Sequence, residues 1–177
     1  MHRTQFNSRR TPIDVRFRIE AQAIEPLKVA FLTTRSSASA SELVINSLTP
    51  YADTAVIGDR SFGKPVGQEA FDLQGCDTRL RLVTFKSVNR DGFGDYFNGL
   101  HPDSGFVDVF CAAPDDLTSP QGDAAEDMTA AALHWINNNV CPPTPVQKLG
   151  AAPAEALSDM PLPRRPSPQQ IYQPGFM

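Results

Sequence analysis

The sequence predicts an α/β fold in which a mixed sheet carries short crossover helices. Three observations carry that prediction: an apolar run at 27–33, a helix-spaced stretch that begins in the serine cluster 37–42, and a second apolar run at 54–57 ending at Gly58. Strand, tight turn, short helix and strand in so few residues imply a parallel crossover, because the helix returns the chain to the same end of the sheet. With 177 residues, 41% hydrophobic and 20% charged, the chain has material for one compact core.

Taken in order, residues 14–20 alternate Val15, Phe17 and Ile19 with Asp14, Arg16, Arg18 and Glu20, the period-two pattern of an edge or hairpin strand. His2 falls in an opening segment expected to be mobile. The run 27–33 reads as a strand buried in a sheet and leads directly into the serines. Beyond them Ala40, Leu43, Val44, Ser47 and Leu48 recur at helical spacing until Pro50 ends the pattern. Residues 66–73 and 78–88 read as two further strands around a turn at 74–77, and 89–99 is a loop rich in Gly, Asn and Asp. Gly122 and Asp123 open a helix running to about Asn137, with Met128, Ala131, Ala132, Trp135 and Ile136 inward and the asparagines 137–139 fraying its end. Cys111 is placed after the last strand and Cys141 at the end of this helix. From residue 142 the composition changes: more than half of the 16 prolines lie in this last fifth, which predicts a disordered tail. Within it, 161–166 could serve as a polyproline ligand, a pattern such tails also produce by chance.

The net charge of -4 and pI near 5.3 leave no basic stripe, so nucleic acid is not an expected partner. No apolar run approaches the roughly 20 residues of a membrane helix, and residues 1–10 lack the apolar core of a signal peptide. Cys76, Cys111 and Cys141 are too widely spaced for a zinc ribbon or a C-x-x-C pair, leaving one disulfide with a free thiol, or three thiols. The acidic residues Asp115, Asp116, Asp123, Glu126 and Asp127 match no calcium loop and read as a solvated loop leading into a helix start. No metal or cofactor is implied.

The chemistry centres on Ser39 and Lys64. Ser39 with Glu42 satisfies the capping-box pattern S-x-x-E, and a serine at a strand-to-helix turn also sits where free amides stabilise an oxyanion. Lys64 lies between Phe62 and Val66, apolar neighbours able to desolvate an amine that must accept a proton. Residues 58–64 also follow the phosphate-loop pattern G-x-x-x-x-G-K, but Pro65 stands where that motif needs Ser or Thr, and strand follows instead of helix. A Ser39–His101–Asp103 triad is set aside because an Asp two residues away is poorly placed to orient the ring.

The serine cluster 37–42, then Val56, Ile57 and Gly58, then Phe62, Gly63 and Lys64, resemble the tail-specific or C-terminal processing serine proteases. Residues 99–103 are similar to that family's G-I-x-P-D segment. The resemblance spans about 25–140 and implies a ClpP/crotonase-like core. It implies a serine endopeptidase with a Ser-Lys dyad: Ser39 as nucleophile, Lys64 as general base, Gln68 orienting the lysine amine and the Ala40 amide as oxyanion donor. It implies a polypeptide substrate and a periplasmic or otherwise extracytoplasmic location, which favours a Cys111–Cys141 pair and leaves Cys76 free. The family's D-L-R-x-N-x-G-G segment has no counterpart in 1–26. Residues 1–141 are therefore expected to be the C-terminal portion of the protease domain, with 142–177 as its tail. The rival expectations are a catalytically silent module of the same fold that binds peptides or apolar ligands, and an inactive fragment.

Overall fold

A computed structural model describes residues 1–143 other than Ser8, Pro26 and Phe106. The Pro-rich tail and its 161–166 segment therefore lie, from residue 144 on, outside the described residues.

The expected mix of parallel and antiparallel strands is present, divided between two sheets. The parallel sheet has the order β3(Lys28–Thr33), β4(Asp53–Gly58), β7(Val109–Ala112). Helix α1(Ala40–Leu48) crosses from β3 to β4, whose register runs from Lys28↔Asp53 to Thr33↔Gly58. β4 is the central strand, paired on both edges, and both of its faces are covered. Ala55 and Ile57 pack with Cys111, Met128, Ala131, Ala132 and Trp135 on the side of helix α2(Asp127–Asn138). Val56 points the other way, into a cluster with Ile45, Tyr96, Leu100 and Val107. Period-two alternation on a strand buried on both faces thus yields two cores, and a continuous apolar run is its sequence signature. Burial of a side chain such as Ile57 contributes about 1.5–3 kcal/mol.

The antiparallel sheet has the order β2(Ile13–Val15), β1(His2–Phe6), β6(Arg79–Asn89), β5(Val66–Asp72). β5 and β6 form the expected hairpin, with a register shift between Gly67 and Gln68, where the partner moves from Phe85 to Val83. His2 is not in a mobile terminus: β1 pairs His2 with both Val15 and Asn89, because the long β6 offers it an edge. The strand expected over 14–20 is paired only to Val15, where its ladder with β1 ends, and 16–20 run on exposed.

Two helix faces differ from expectation. In α1 the buried residues are Glu42, Ile45, Asn46 and Ser47, while Val44 is 51% exposed. The helix is turned by polar contacts that apolar spacing does not register. α2 begins at Asp127 rather than at 122–123, because Asp123 first forms a turn of its own, its carboxylate accepting from Ala125 N–H and its carbonyl from Glu126 N–H. Glu126 is the N-cap, accepting from Met128 N–H at 2.9 Å and from the Thr129 N–H and hydroxyl at 2.8 and 2.7 Å. Burial opposes its ionisation, yet these hydrogen bonds and one from the Asp116 backbone prevail and hold the carboxyl below its ordinary range. Ile136 lies at the rim, 37% exposed, and Asn139 closes the helix in the left-handed conformation. Cys111 lies within the last strand, not after it, and forms a disulfide with Cys141, leaving Cys76 as an exposed free thiol.

Candidate active site

The serine cluster occupies the turn between the carboxyl end of β3 and the start of α1. Its three serines have different environments. Ser37 is committed to the turn, its Oγ accepting from Thr34 N–H at 3.1 Å and its carbonyl from Phe62 N–H at 2.9 Å. Ser41 is exposed on the first turn of the helix. Ser39 is half-buried, with φ 55 and ψ -106, a conformation that side-chain-bearing residues rarely adopt. Holding such a residue costs about 1–3 kcal/mol and requires surrounding contacts that fix it. Ser39 and Glu42 form the expected capping box, with the Glu42 carboxylate accepting the Ser39 N–H. The Ala40 N–H, at the first helical position, has no acceptor among the described residues.

Those surrounding contacts converge on Glu42. Its carboxylate is fully buried and accepts four hydrogen bonds. Ser61 Oγ–H and Gly63 N–H donate to Oε1, both at 2.6 Å; Ser39 N–H and Lys64 N–H donate to Oε2, at 2.9 and 2.8 Å. One oxygen therefore holds the backbone of both residues singled out as nucleophile and base, although 25 positions separate them. Ser61 extends the network by accepting Leu100 N–H at 2.8 Å, which ties in the 99–103 segment. Gly63 has φ 96, and a Cβ there would collide with the Phe97 carbonyl, so the loop can approach this closely only as glycine. Behind the carboxylate lie Asn46 and Tyr96, the phenol pushed up by burial, with the Glu42 charge adding to the effect and a hydrogen bond from Asn46 opposing it.

The Ser39 and Lys64 backbones meet at Glu42 Oε2, but no hydrogen bond links the Lys64 side chain to Ser39 or to Gln68 among the described residues. Catalytic contacts are commonly loose before substrate binds. Lys64 is half-buried; of its two apolar neighbours in sequence, Phe62 is 64% exposed and Val66 half-buried. Gln68 stands beside the register shift in the β5–β6 hairpin, its Oε1 buried and without a hydrogen-bond partner among the described residues. His101 Nδ1 accepts the Asp103 backbone N–H at 3.3 Å, and the 93% exposed Asp103 carboxylate lies 3.2 Å from the same nitrogen, so the two close their own turn as a cap and not as a triad pair. The pair sits on the 3-10 turn Pro102–Ser104 against Phe110, and no hydrogen bond joins it to Ser39 among the described residues. Nor do the described residues include a group of three or more His, Cys, Asp or Glu placed to hold a metal.

The family model for peptidase family S41 matches residues 2–105, more than half of the chain and the whole of this site. The chain belongs to peptidase family S41. It is 32% identical over 94 residues to the carboxy-terminal processing protease CtpB of Bacillus subtilis (strain 168), a match covering 52% of this chain and 19% of that protein. It also superposes on the crystal structure of a putative S41 protease from Bacteroides fragilis NCTC 9343, with a TM-score of 0.52 and 26% identity over 64% of this chain and 28% of that one. This S41 chain thus spans about a fifth of the length of CtpB and just over a quarter of the solved protease. Within the matched region, sequence reasoning assigned Glu42 only a helix cap. Its second role has no periodic signature, because the partners Ser61, Gly63 and Lys64 lie on another turn, 19 to 22 residues further along the chain.

Proposed function

We propose that the chain carries the serine endopeptidase chemistry of the C-terminal processing type. Ser39 Oγ attacks the scissile carbonyl carbon while the unprotonated Lys64 amine takes the seryl proton. Lys64 then returns that proton to the leaving amine, and water hydrolyses the acyl-enzyme by the same route in reverse. The Ala40 N–H supplies an oxyanion donor at the positive end of α1, and Gln68 Oε1 orients the Lys64 amine. The observation that carries this reading is the shared Glu42 oxygen, which fixes the Ser39 and Lys64 turns against each other. The strained backbone at Ser39 supports it further, because strain of this kind is retained where function requires it.

The substrate is a polypeptide, cut near its C-terminus. The Cys111–Cys141 disulfide favours an oxidising, extracytoplasmic setting. No described helix is long and apolar enough to cross a membrane. The test is cleavage of an unstructured polypeptide by the chain, by Ser39→Ala and by Lys64→Ala. Loss of cleavage in both variants supports the dyad, equal cleavage by all three refutes it, and no cleavage by any assigns the chain to a silent module of the fold.

A further inference from the structure

The segment 13–19 has an unused sheet edge. Ile13, Val15, Phe17 and Ile19 alternate with Asp14, Arg16 and Arg18, a strand pattern, yet the ladder with β1 covers only Ile13–Val15 and β2 is the outermost strand of its sheet. The four apolar side chains are exposed, at 52, 47, 60 and 100%. Phe17 meets Tyr51 edge-on, with ring centroids 5.6 Å apart. An exposed strand edge with one apolar face is a template for another strand.

We infer that this edge pairs antiparallel with the same edge of a second copy of the chain, about a two-fold axis through Arg16. The sequence itself selects the occupant, because the segment is self-complementary. An axis at Arg16 places Ile13 opposite Ile19 and Val15 opposite Phe17, each pair occurring twice, and so joins the apolar residues into one stripe. On the other face it places Asp14 opposite Arg18, also twice. Asp14 already binds Arg3 of its own chain at 2.6 and 3.1 Å and lies in the field of Arg16, so the partner's guanidinium completes a carboxylate held between two arginines. The single mismatch is Arg16 against its own copy at the axis. Centring instead on Phe17 sets Asp14 against Glu20 and Arg16 against Arg18, two like-charge contacts. Centring further along requires residues 21–22 as strand, and these form a turn in which Ala23 N–H donates to the Glu20 carbonyl. The contact is isologous and closes at two copies, joining the two four-stranded sheets into one.

Sedimentation of the chain over a range of concentrations tests this. The expected species is a reversible dimer of twice 19.3 kDa. Arg18→Glu turns both cross-strand pairs repulsive and is expected to raise the dissociation constant about tenfold, whereas Arg16→Thr removes the like-charge contact and lowers it about threefold. Both side chains are exposed, and an unchanged Tm and circular dichroism spectrum establish that each variant is folded. A chain that sediments as a monomer throughout overturns the inference. So does a dimer indifferent to Arg18→Glu or weakened by Arg16→Thr. An edge that takes up a labelled unstructured peptide while the chain stays monomeric also overturns it, and assigns the edge to a peptide ligand.

Discussion

Replacing Glu42 separates a helix cap from a hub. In Glu42→Gln the amide nitrogen must take the place of one carboxylate oxygen. On the Oε2 side it would face two N–H groups, of Ser39 and Lys64; on the Oε1 side it faces Gly63 N–H and the Ser61 hydroxyl, which can rotate to accept. The amide therefore turns its nitrogen toward Ser61, and the principal loss is the bond to Gly63. One buried donor left unpaired costs about 1–3 kcal/mol, so the expected loss is about 2 kcal/mol and a fall in Tm of roughly 6 °C for a chain of this size. Glu42→Ala leaves all four donors without the carboxylate. Even with water entering the space, the loss is expected to be about 5 kcal/mol, comparable to the whole stability of a marginal domain. Calorimetric unfolding of the two variants beside the parent chain measures both, and the order Ala far below Gln is the signature. A helix cap alone is worth only about 1 kcal/mol. An alanine variant melting within that margin would refute the hub.

Ser39→Gly relieves the positive φ and is expected to raise stability by about 1 kcal/mol while abolishing any peptide hydrolysis; a lower Tm would show that the backbone there is not strained. Reducing the Cys111–Cys141 bond, which closes a separation of 30 residues, is expected to cost about 3.5 kcal/mol, and calorimetry with and without reductant reads it, an unchanged Tm being the contrary result. The Glu126 carboxyl is held below its ordinary range in the folded chain, so it contributes stability above the unfolded value, and this is lost as pH falls through the lower folded one. Tm measured from about pH 6 down to about pH 3 should therefore fall less steeply in Glu126→Gln than in the parent; parallel slopes would remove Glu126 from the acid transition.

The parts of the fold set by local chemistry were legible in the sequence. The β3–α1–β4 crossover followed from two apolar runs around a serine turn, and the β5–β6 hairpin from runs flanking a polar turn. β1 was not legible: its five residues carry weak alternation and form a strand only because β6 extends far enough to pair with them. The strand expected over 14–20 forms only as far as Val15, because among the described residues its partner strand β1 ends opposite that position at His2. At the site, residue types and separation singled out Ser39 and Lys64, and the fold brings their backbones to one oxygen. The inward face of α1 was misjudged because hydrophobic spacing cannot see a carboxylate buried for its hydrogen bonds.

All four partners of Glu42 are neutral dipoles, three of them backbone amides drawn from two different turns. Such an anchor has no counter-charge for dissolved ions to screen, so salt that loosens the surface ion pairs of the chain leaves this junction intact. It also yokes the turns mechanically. A ligand that displaces the loop bearing Lys64 must pull the same carboxylate away from Ser39, so the two halves of the site yield together or not at all.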